Sequence, residues 1–547
     1  MKERNLKSTF KVPILSRSII FLAIPLVLSS FTHFWNLTGF PAIYIDEDIY
    51  IRKALRALEG LPLERDRTNP LYGWLFLSVG LGGIGYPNSL QPSSDGNVHS
   101  IEILYLVPRL LVGIFGVIDT FLIFKICEYH YRSSKVALIG SILFAVMPMT
   151  WMTRYVLLES IQLPFLLSSI LFVVIAGIQK NNTNNHILRR ISPILLSGIF
   201  LGLAIFAKIP ALAMIPVLAF LIYKNTKSIK ILGLWLIPVF LLPLISPAYA
   251  NSLGMVNVWL DGIFYQVDRE NQPLFDLSGQ DSNNAIGVLL RIDPFLLIAG
   301  TISIIFASIR KDFLILLWVV PYVVFFYLVG YVSFFHFIPL LPAFCIAFAK
   351  LIVNLSDRIG DRSKKIRKVL PFAVISGVGV FGLICTGMLI TANINSTHFQ
   401  AAAIMAHYLP DTDNSNTNRN GVTVIMGNNR FFWIVSYVFH KDHNYITYWN
   451  DKFPINETGR IIMIVEDNFN YRIKTDANKT HVNQILNIYN NSRPVIILDR
   501  NSDYYDHTKY PYTGLSVPSP GIGRVEIRTN AEAANLFRGL QSISDRP

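Results

Sequence analysis

The stretch IYIDEDIYIR at 43–52 sets Asp46, Glu47 and Asp48 side by side, just after the first strongly apolar segment. Adjacent residues of a helix point about 100° apart, so Asp46 and Glu47 cannot act as one doubled carboxylate but can serve two roles. Three acids together also suit an ordinary helix start, where carboxylates meet the positive end of the macrodipole. Further ionisable residues stand at the ends of other apolar segments: Arg109, Arg154, Glu159, Lys208 and His336. A charge at such a depth is costly unless it is paired or used. Each also has a plainer reading. Arg109 can snorkel or make a structural pair within a bundle, Lys208 can anchor topology, and His336 can be a simple interfacial histidine.

The elements that must position these groups are membrane helices. The 547 residues are 52% hydrophobic and 15% charged, whereas soluble domains carry about 25% charged residues. Apolar runs long enough to cross a bilayer recur to about residue 391. We count about eleven: 19–36, 101–125, 135–152, 156–178, 192–207, 209–223, 231–249, 285–308, 312–329, 335–354 and 369–391. The first is not followed by a small-residue cleavage site and reads as a span. The loops then sort into two sets. One is short and basic, and includes the N-terminus, Arg132 with Lys135, Lys224 with Lys230, Arg310 with Lys311, and DRIGDRSKKIRK at 357–368. The positive-inside rule makes this set cytoplasmic. The N-terminus is then inside, and the C-terminal part and all the candidate residues lie towards the outside. The net charge of +13 belongs to these short loops and gives no reason to invoke nucleic acid. Cys127, Cys345 and Cys385 all fall in apolar runs, so neither a disulfide framework nor zinc-type spacing is expected.

The outer loop 37–100 has its own order. DEDIYIRKALRALEG reads as an amphipathic helix lying on the membrane surface, with Ile49, Leu55 and Leu58 on its apolar side and Gly60 as its stop. NPLYGWLFLSVGLGGIGY at 69–86 is apolar but Gly-rich and reads as a second interfacial or re-entrant helix. Counted as a span, it would put every later basic loop outside.

These motifs, in this order and on one side, resemble the dolichyl-phosphate-mannose-protein mannosyltransferase family of GT-C glycosyltransferases. YIDEDIY followed by NPLYGWL is similar to that family's first outer loop. PRLLVGIFG (108–116) resembles its Arg-bearing second span, and TRYVLLESIQLPF (153–165) its second outer motif. GLAIFAKIPAL (202–212) and HFIPLLPAF (336–344) resemble its Lys-x-Pro and late Pro-x-x-Pro spans. The likeness covers about 19–355. Two departures stand out: Glu159 where the family usually has Asp, and Asn69-Pro70-Leu71 where it often has His-Pro-Pro-Leu.

The resemblance implies a fold of about eleven transmembrane helices (1–391) with a C-terminal extracytoplasmic α/β domain (392–547). It implies transfer of a sugar, with inversion, from a polyprenyl or dolichyl-phosphate donor to a hydroxyl of a protein, lipid or glycan acceptor at the bilayer's outer face. Such transfer needs a base for the acceptor proton and positive charge for the departing phosphate. By the residue-to-residue match Asp46 is the candidate base. Glu47 and Glu159 would orient groups or, with His336, hold a divalent metal cation. Arg154, Lys208 and Arg109 would bind the donor phosphate. A transporter or flippase for lipid-linked sugars is the alternative, but it would place its groups near the midplane and use broken helices.

After 391 the apolar runs shorten. VTVIMG (422–427), RIIMIVED (460–467) and PVIILD (494–499) read as buried strands, and 397–409 and 481–491 as helices, giving a small α/β domain with a partly parallel sheet. There is no glycine-rich phosphate loop. Sequons at Asn395, Asn456, Asn478 and Asn490 suit an exported face.

Overall fold

The computed structural model describes residues 14–537 apart from 63–70, 87–97, 180–186, 268–284, 330–331, 360–363, 411–421, 427–432, 440, 442–443, 448–458, 467–468, 470–472, 474–478 and 499–523. Asn69 and Pro70, the sequons at Asn456 and Asn478, and the turn expected after 426 lie outside the described residues.

The chain runs α1 (Ile14–Phe34), α2 (Ile45–Leu58), α3 (Leu75–Gly83), α4 (Val98–Tyr131), α5 (Ser134–Val146), α6 (Leu158–Gln179), α7 (Ile187–Ala207), α8 (Ile215–Thr226), α9 (Ile229–Leu241) and α10 (Ile245–Ser252). It continues with α11 (Val256–Val267), α12 (Ala285–Ile292), α13 (Pro294–Ile309), α14 (Phe313–Val329), α15 (Leu341–Ile359), α16 (Lys364–Ile390), α17 (Ser396–Tyr408) and, in the tail, α18 (Lys479–Asn491). Short 3-10 turns lead from α5 into α6 (Pro148–Arg154), from α7 into α8 (Ile209–Met214), and into α15 (Phe334–Leu340).

Local chemistry sets several boundaries. The Ser133 and Ser228 hydroxyls take the N–H groups of Val136 and Ile231 and so cap α5 and α9. After α2, Gly60 sits at φ +67, a conformation open to glycine without a β-carbon penalty. Gly198 and Gly202, one turn apart on α7, let α9 close in; a β-carbon at either would collide with the carbonyl of Trp235 or Pro238.

Six helical stretches are long and apolar enough to cross a bilayer: Glu102–Tyr131, Leu158–Ile178, Ile209–Thr226, Ile229–Ser252, Phe334–Ile359 and Val369–Ile390. Two pairs qualify only together and are bent, Ser134–Val146 with Pro148–Arg154 by 68° and Ala285–Ile292 with Pro294–Ile309 by 112°. Ile19–Phe34, Ile191–Ala207 and Phe313–Leu328 are shorter apolar helices. The eleven expected segments are therefore helical, but by length and composition six to eight of the described ones qualify as spans. One buried side chain ties the two bends together. Asp293 caps α13 by taking the Leu296 N–H (2.9 Å), and its other oxygen takes the Met149 N–H (3.3 Å).

The loop 37–100 differs from its sequence reading among its described residues. α2 buries Tyr50, Ile51, Ala54 and Leu55 against the protein, while Ile49 is only half-buried. The second helix shrinks to Leu75–Gly83, which packs on α2. Before it, Gly73 presses on the backbone of Ala207, leaving no room for a β-carbon, and the Tyr72 N–H reaches the Ser246 hydroxyl (3.3 Å).

The tail forms a mixed sheet ordered β2-β1-β3-β5-β4, from β1 (Thr423–Met426), β2 (Asn444–Thr447), β3 (Ile461–Glu466), β4 (Arg493–Leu498) and β5 (Val525–Thr529). β2, β1 and β3 are parallel, and β5 is antiparallel to both β3 and β4. β2 and β5 are not evident in the sequence: NYIT is short, and VEIRT carries two charges among its five residues. Ile462 and Ile464 join an apolar core continuous with the helical bundle, whereas Ile461, Met463 and Val465 pack with Ile485 and Ile488 of α18 on the other face.

Candidate active site

The site begins with the turn between α1 and α2. Residues 35–44 form no regular element among themselves, so their carbonyls need partners from elsewhere. Arg154 supplies several of them. Its guanidinium donates to the carbonyls of Thr32 (2.6 Å), Trp35 (2.5 Å) and Phe40 (3.0 Å) and lies over the Phe40 ring. Thr32 and Trp35 stand at the C-terminal end of α1, where a cation also meets the negative end of the helix dipole. Asn395 closes the other side. Its amide donates to the carbonyls of Thr38 and Pro41 (2.8 Å each), and its oxygen takes the Ile43 N–H (3.2 Å). This sequon asparagine is 1% exposed. Its side chain clamps the turn and is buried, so this sequon offers no exposed glycan acceptor.

The three acids then separate. Both oxygens of Glu47 are occupied. Arg109 donates to them through Nε (3.1 Å) and Nη2 (2.9 Å), the Tyr44 N–H reaches Oε2 (2.9 Å), and the Val156 N–H reaches Oε1 (3.0 Å). Arg109 sends its remaining Nη1 to the Leu37 carbonyl (2.8 Å). Both side chains are 0% exposed. One carboxylate thus joins the start of α2, the middle of α4 and the extended chain at Tyr155–Leu157. Asp48 is also buried; its Oδ1 takes the Tyr105 hydroxyl (2.5 Å), which in turn accepts the Trp433 indole N–H (3.1 Å). Tyr105 and Arg109 are four residues apart on α4 and so share a face. They hold two successive acids of α2. Asp46 is the one acid of the three that is not buried.

These contacts bear on three sequence expectations. Glu47, expected among the catalytic carboxylates, has no lone-pair direction left over for substrate. Arg109 and Arg154, expected to bind phosphate, are both 0% exposed, Arg109 directed to Glu47 and the two Nη groups of Arg154 to backbone carbonyls. The physical reason is the same in each case. An apolar bundle cannot leave loop carbonyls and a buried carboxylate unsatisfied, and Arg is the side chain with enough donors to serve them.

The second cluster forms beside the first. Glu159, in the first turn of α6, pairs with Lys208, which stands in extended backbone between α7 and the 209–214 turn. Gln162, one turn further along α6, donates to the carbonyls of Ala204, near the end of α7, and of Lys208. His336 approaches the same Glu159 oxygen (3.7 Å). Its Nδ1 accepts the Ser333 N–H (2.8 Å), which leaves the proton on Nε2, facing Glu159. Lys208 and His336 keep 12% and 13% side-chain exposure against 1% for Glu159, so these two side chains reach the surface and the acid lies beneath them. Aromatic rings connect the clusters. Tyr44, next to the start of α2, packs on Phe335 (5.5 Å) and Tyr155 (5.9 Å), and the Lys208 ammonium lies 5.3 Å from the Phe335 ring centre.

The residues present do not fit a divalent cation well. Among the described residues no three His, Cys, Asp or Glu side chains converge as a ligand set, and Glu159 already has Lys208 as its counter-charge.

Sequence reasoning missed Tyr105, Asn395 and the aromatic wall. A signal was present for the first: Tyr105 and Arg109 recur at helical spacing on one face, matched to two adjacent acids.

The fold and this site define a polytopic helical membrane protein in which one acid of α2, Glu47, is held against the buried Arg109, with a C-terminal α/β region. Residues 23–261 match the family of dolichyl-phosphate-mannose-protein mannosyltransferases, so the chain does resemble that family of GT-C glycosyltransferases. No curated protein matches the chain by sequence. Among solved structures, the oligosaccharyltransferase of Archaeoglobus fulgidus in complex with Zn and sulfate is similar at TM-score 0.52 and 12% identity, covering 84% of this chain and 70% of that one. The same organism's AglB, in complex with an inhibitory peptide and a dolichol-phosphate, gives 0.50 and 13%, covering 78% and 64%. ArnT from Cupriavidus metallidurans bound to undecaprenyl phosphate gives 0.48 and 11%, covering 96% and 99%.

Proposed function

We propose that the protein is a membrane glycosyltransferase that moves a sugar, with inversion, from a polyprenyl or dolichyl phosphate to an acceptor hydroxyl of a protein, lipid or glycan on the extracytoplasmic face. The observation that carries this reading is the difference in burial among the three acids: Glu47 and Asp48 are buried, while Asp46 is partly exposed. Asp46 is the base in this reading. A base held at the membrane surface takes the acceptor proton as the hydroxyl oxygen attacks the sugar carbon and the phosphate leaves with the bonding electrons. Lys208 meets the charge that develops on that phosphate, with His336 donating beside it. Glu47, Arg109 and Arg154 act through the backbone they hold. The dolichol-phosphate in the similar AglB structure supports a lipid-linked phosphate as the donor chemistry. In this reading residues 1–391 carry the chemistry and 392–547 cover its outer end through the Trp433–Tyr105–Asp48 contact.

The test is purified protein given a panel of polyprenyl-phosphate sugars, with release of free polyprenyl phosphate as the readout. No release from any donor removes the proposal. Orientation has its own check. Reporters placed at 410 and 362 are expected on opposite faces, outside and inside respectively; protection of both from the same side overturns the loop assignment.

Lys208→Met is expected to raise the donor KM by about 10- to 100-fold, the range for a lost hydrogen bond to a charged group. Because that change also strands Glu159, the Lys208→Met/Glu159→Gln pair is the control. It should recover thermal stability and still bind donor poorly. Recovery of both would make Lys208 a structural counter-ion only.

A further inference from the structure

At the opposite end of the bundle the helix ends enclose a cavity of about 600 Å³, among α4, α6, α8, α13, α14 and α15. It is remote from the acids of α2. Tyr105 and Tyr131 mark the two places on α4, and twenty-six residues of helix span about 39 Å. Five cations line it, Arg132, Lys224, Arg310, Lys311 and Lys350, against one carboxylate, Asp312.

A plainer account covers part of this. Cations at helix C-termini complement the macrodipole, and inner loops are basic in any case. That account does not extend to Lys350. It lies well inside α15, nine residues before the helix ends at Ile359. Its ammonium stands 4.6 Å from the centre of the Tyr131 ring, and the Tyr131 hydroxyl donates to Asp312 (2.9 Å). Lys224 likewise lies over an aromatic ring, Phe313, at 5.1 Å. Aromatic faces orient these cations without neutralising them. Arg132 and Lys311 add a second feature. Both adopt positive φ, +50° and +56°, at helix ends where glycine or asparagine is the low-strain choice. The chain keeps charge at the mouth of the cavity in spite of its backbone. Phe306 and Phe313 line the same cavity and stay 43% and 50% exposed, so apolar surface continues from the cations to the outside of the bundle.

We propose that this cavity binds the phosphate of an anionic phospholipid from the leaflet facing the basic loops. Clustered cations between spans, bordered by apolar surface, are what such a headgroup and its chains require. The proposal rests on the membrane reading and on the basic loops lying inside. It does not depend on transferase activity.

The test is native mass spectrometry of the full-length protein in detergent, titrated with phosphatidylglycerol or phosphatidylcholine of matched chains. The wild type should retain phosphatidylglycerol at least ten-fold more tightly. Lys350→Gln should weaken this by about five-fold, the worth of one cation near an anionic surface. Arg132→Gly/Lys311→Gly should weaken it further while leaving the melting temperature unchanged or higher, because glycine accepts the positive φ. Lys230→Gln, on the same side but outside the cavity, should change nothing. Equal retention of the two lipids overturns the proposal, as does wild-type retention by the glycine pair. Displacement of phosphatidylglycerol by millimolar inorganic phosphate would make this a soluble-anion site and equally overturn the lipid assignment.

Discussion

Asp46→Asn should fold and express like the wild type while sugar transfer falls by about 10²- to 10⁴-fold, the usual loss on removing a general base. Asn keeps the size of Asp and can still serve a helix start. The neighbouring groups that hold α2 in place, Glu47 with Arg109 and Asp48 with Tyr105, are untouched by the change. The competing view treats Asp46 as one more favourable charge in a first turn, worth roughly 0.3–1 kcal/mol. It predicts a slightly less stable protein with normal turnover. Steady-state release of polyprenyl phosphate, measured beside a thermal melt, separates the two. Normal turnover in Asp46→Asn would leave the site without a base. The same experiment on Asp48→Asn is a useful contrast: Asp48 lies under Tyr105, so its effect should appear in the melt as well as in the rate.

Glu47→Gln should be the most destabilising single change in the outer loop. It leaves the Arg109 guanidinium charged and fully buried without its carboxylate. Breaking a buried pair by removing one partner costs about 3–5 kcal/mol. Replacing both partners with apolar side chains of similar size, Glu47→Leu/Arg109→Met, should recover much of that stability, since a buried ion pair and a well-packed apolar pair are often near equal. Transfer should stay low in the double variant all the same. Glu47 also accepts the Tyr44 and Val156 N–H groups. A leucine side chain has no acceptor to replace those bonds, so the start of α2 loses its register against α6. A double variant that regained full activity would show that the pair matters for folding alone. A single variant with wild-type stability would show that the arginine is not committed to Glu47 in the folded protein.

The membrane helices, the two classes of loop and the short list of charged residues are all legible in the order of residues along the chain. Those signals are local: apolar run length, charge at run ends, and strands such as IIMIVE that are buried on both faces. That order also carries the family resemblance, because Asp46, Arg154, Glu159 and Lys208 stand in recognisable neighbourhoods along the chain. What each charge contacts is set by the folded arrangement. Whether a guanidinium faces a ligand or a set of loop carbonyls depends on which backbone lacks partners, and the carbonyls of Thr32, Trp35 and Phe40 are brought to Arg154 over more than a hundred residues of chain. The same holds for Asn395, whose sequon is a local pattern but whose amide is consumed by a loop some 350 positions earlier. It holds for the bends at Met147–Pro148 and Asp293, which read as continuous spans because apolar composition does not record direction. And it holds for Asp46, which stands beside Glu47 and Asp48 in one acidic run and is set apart by which side of α2 it occupies. Packing of α4 against that helix buries two of the three acids and leaves one.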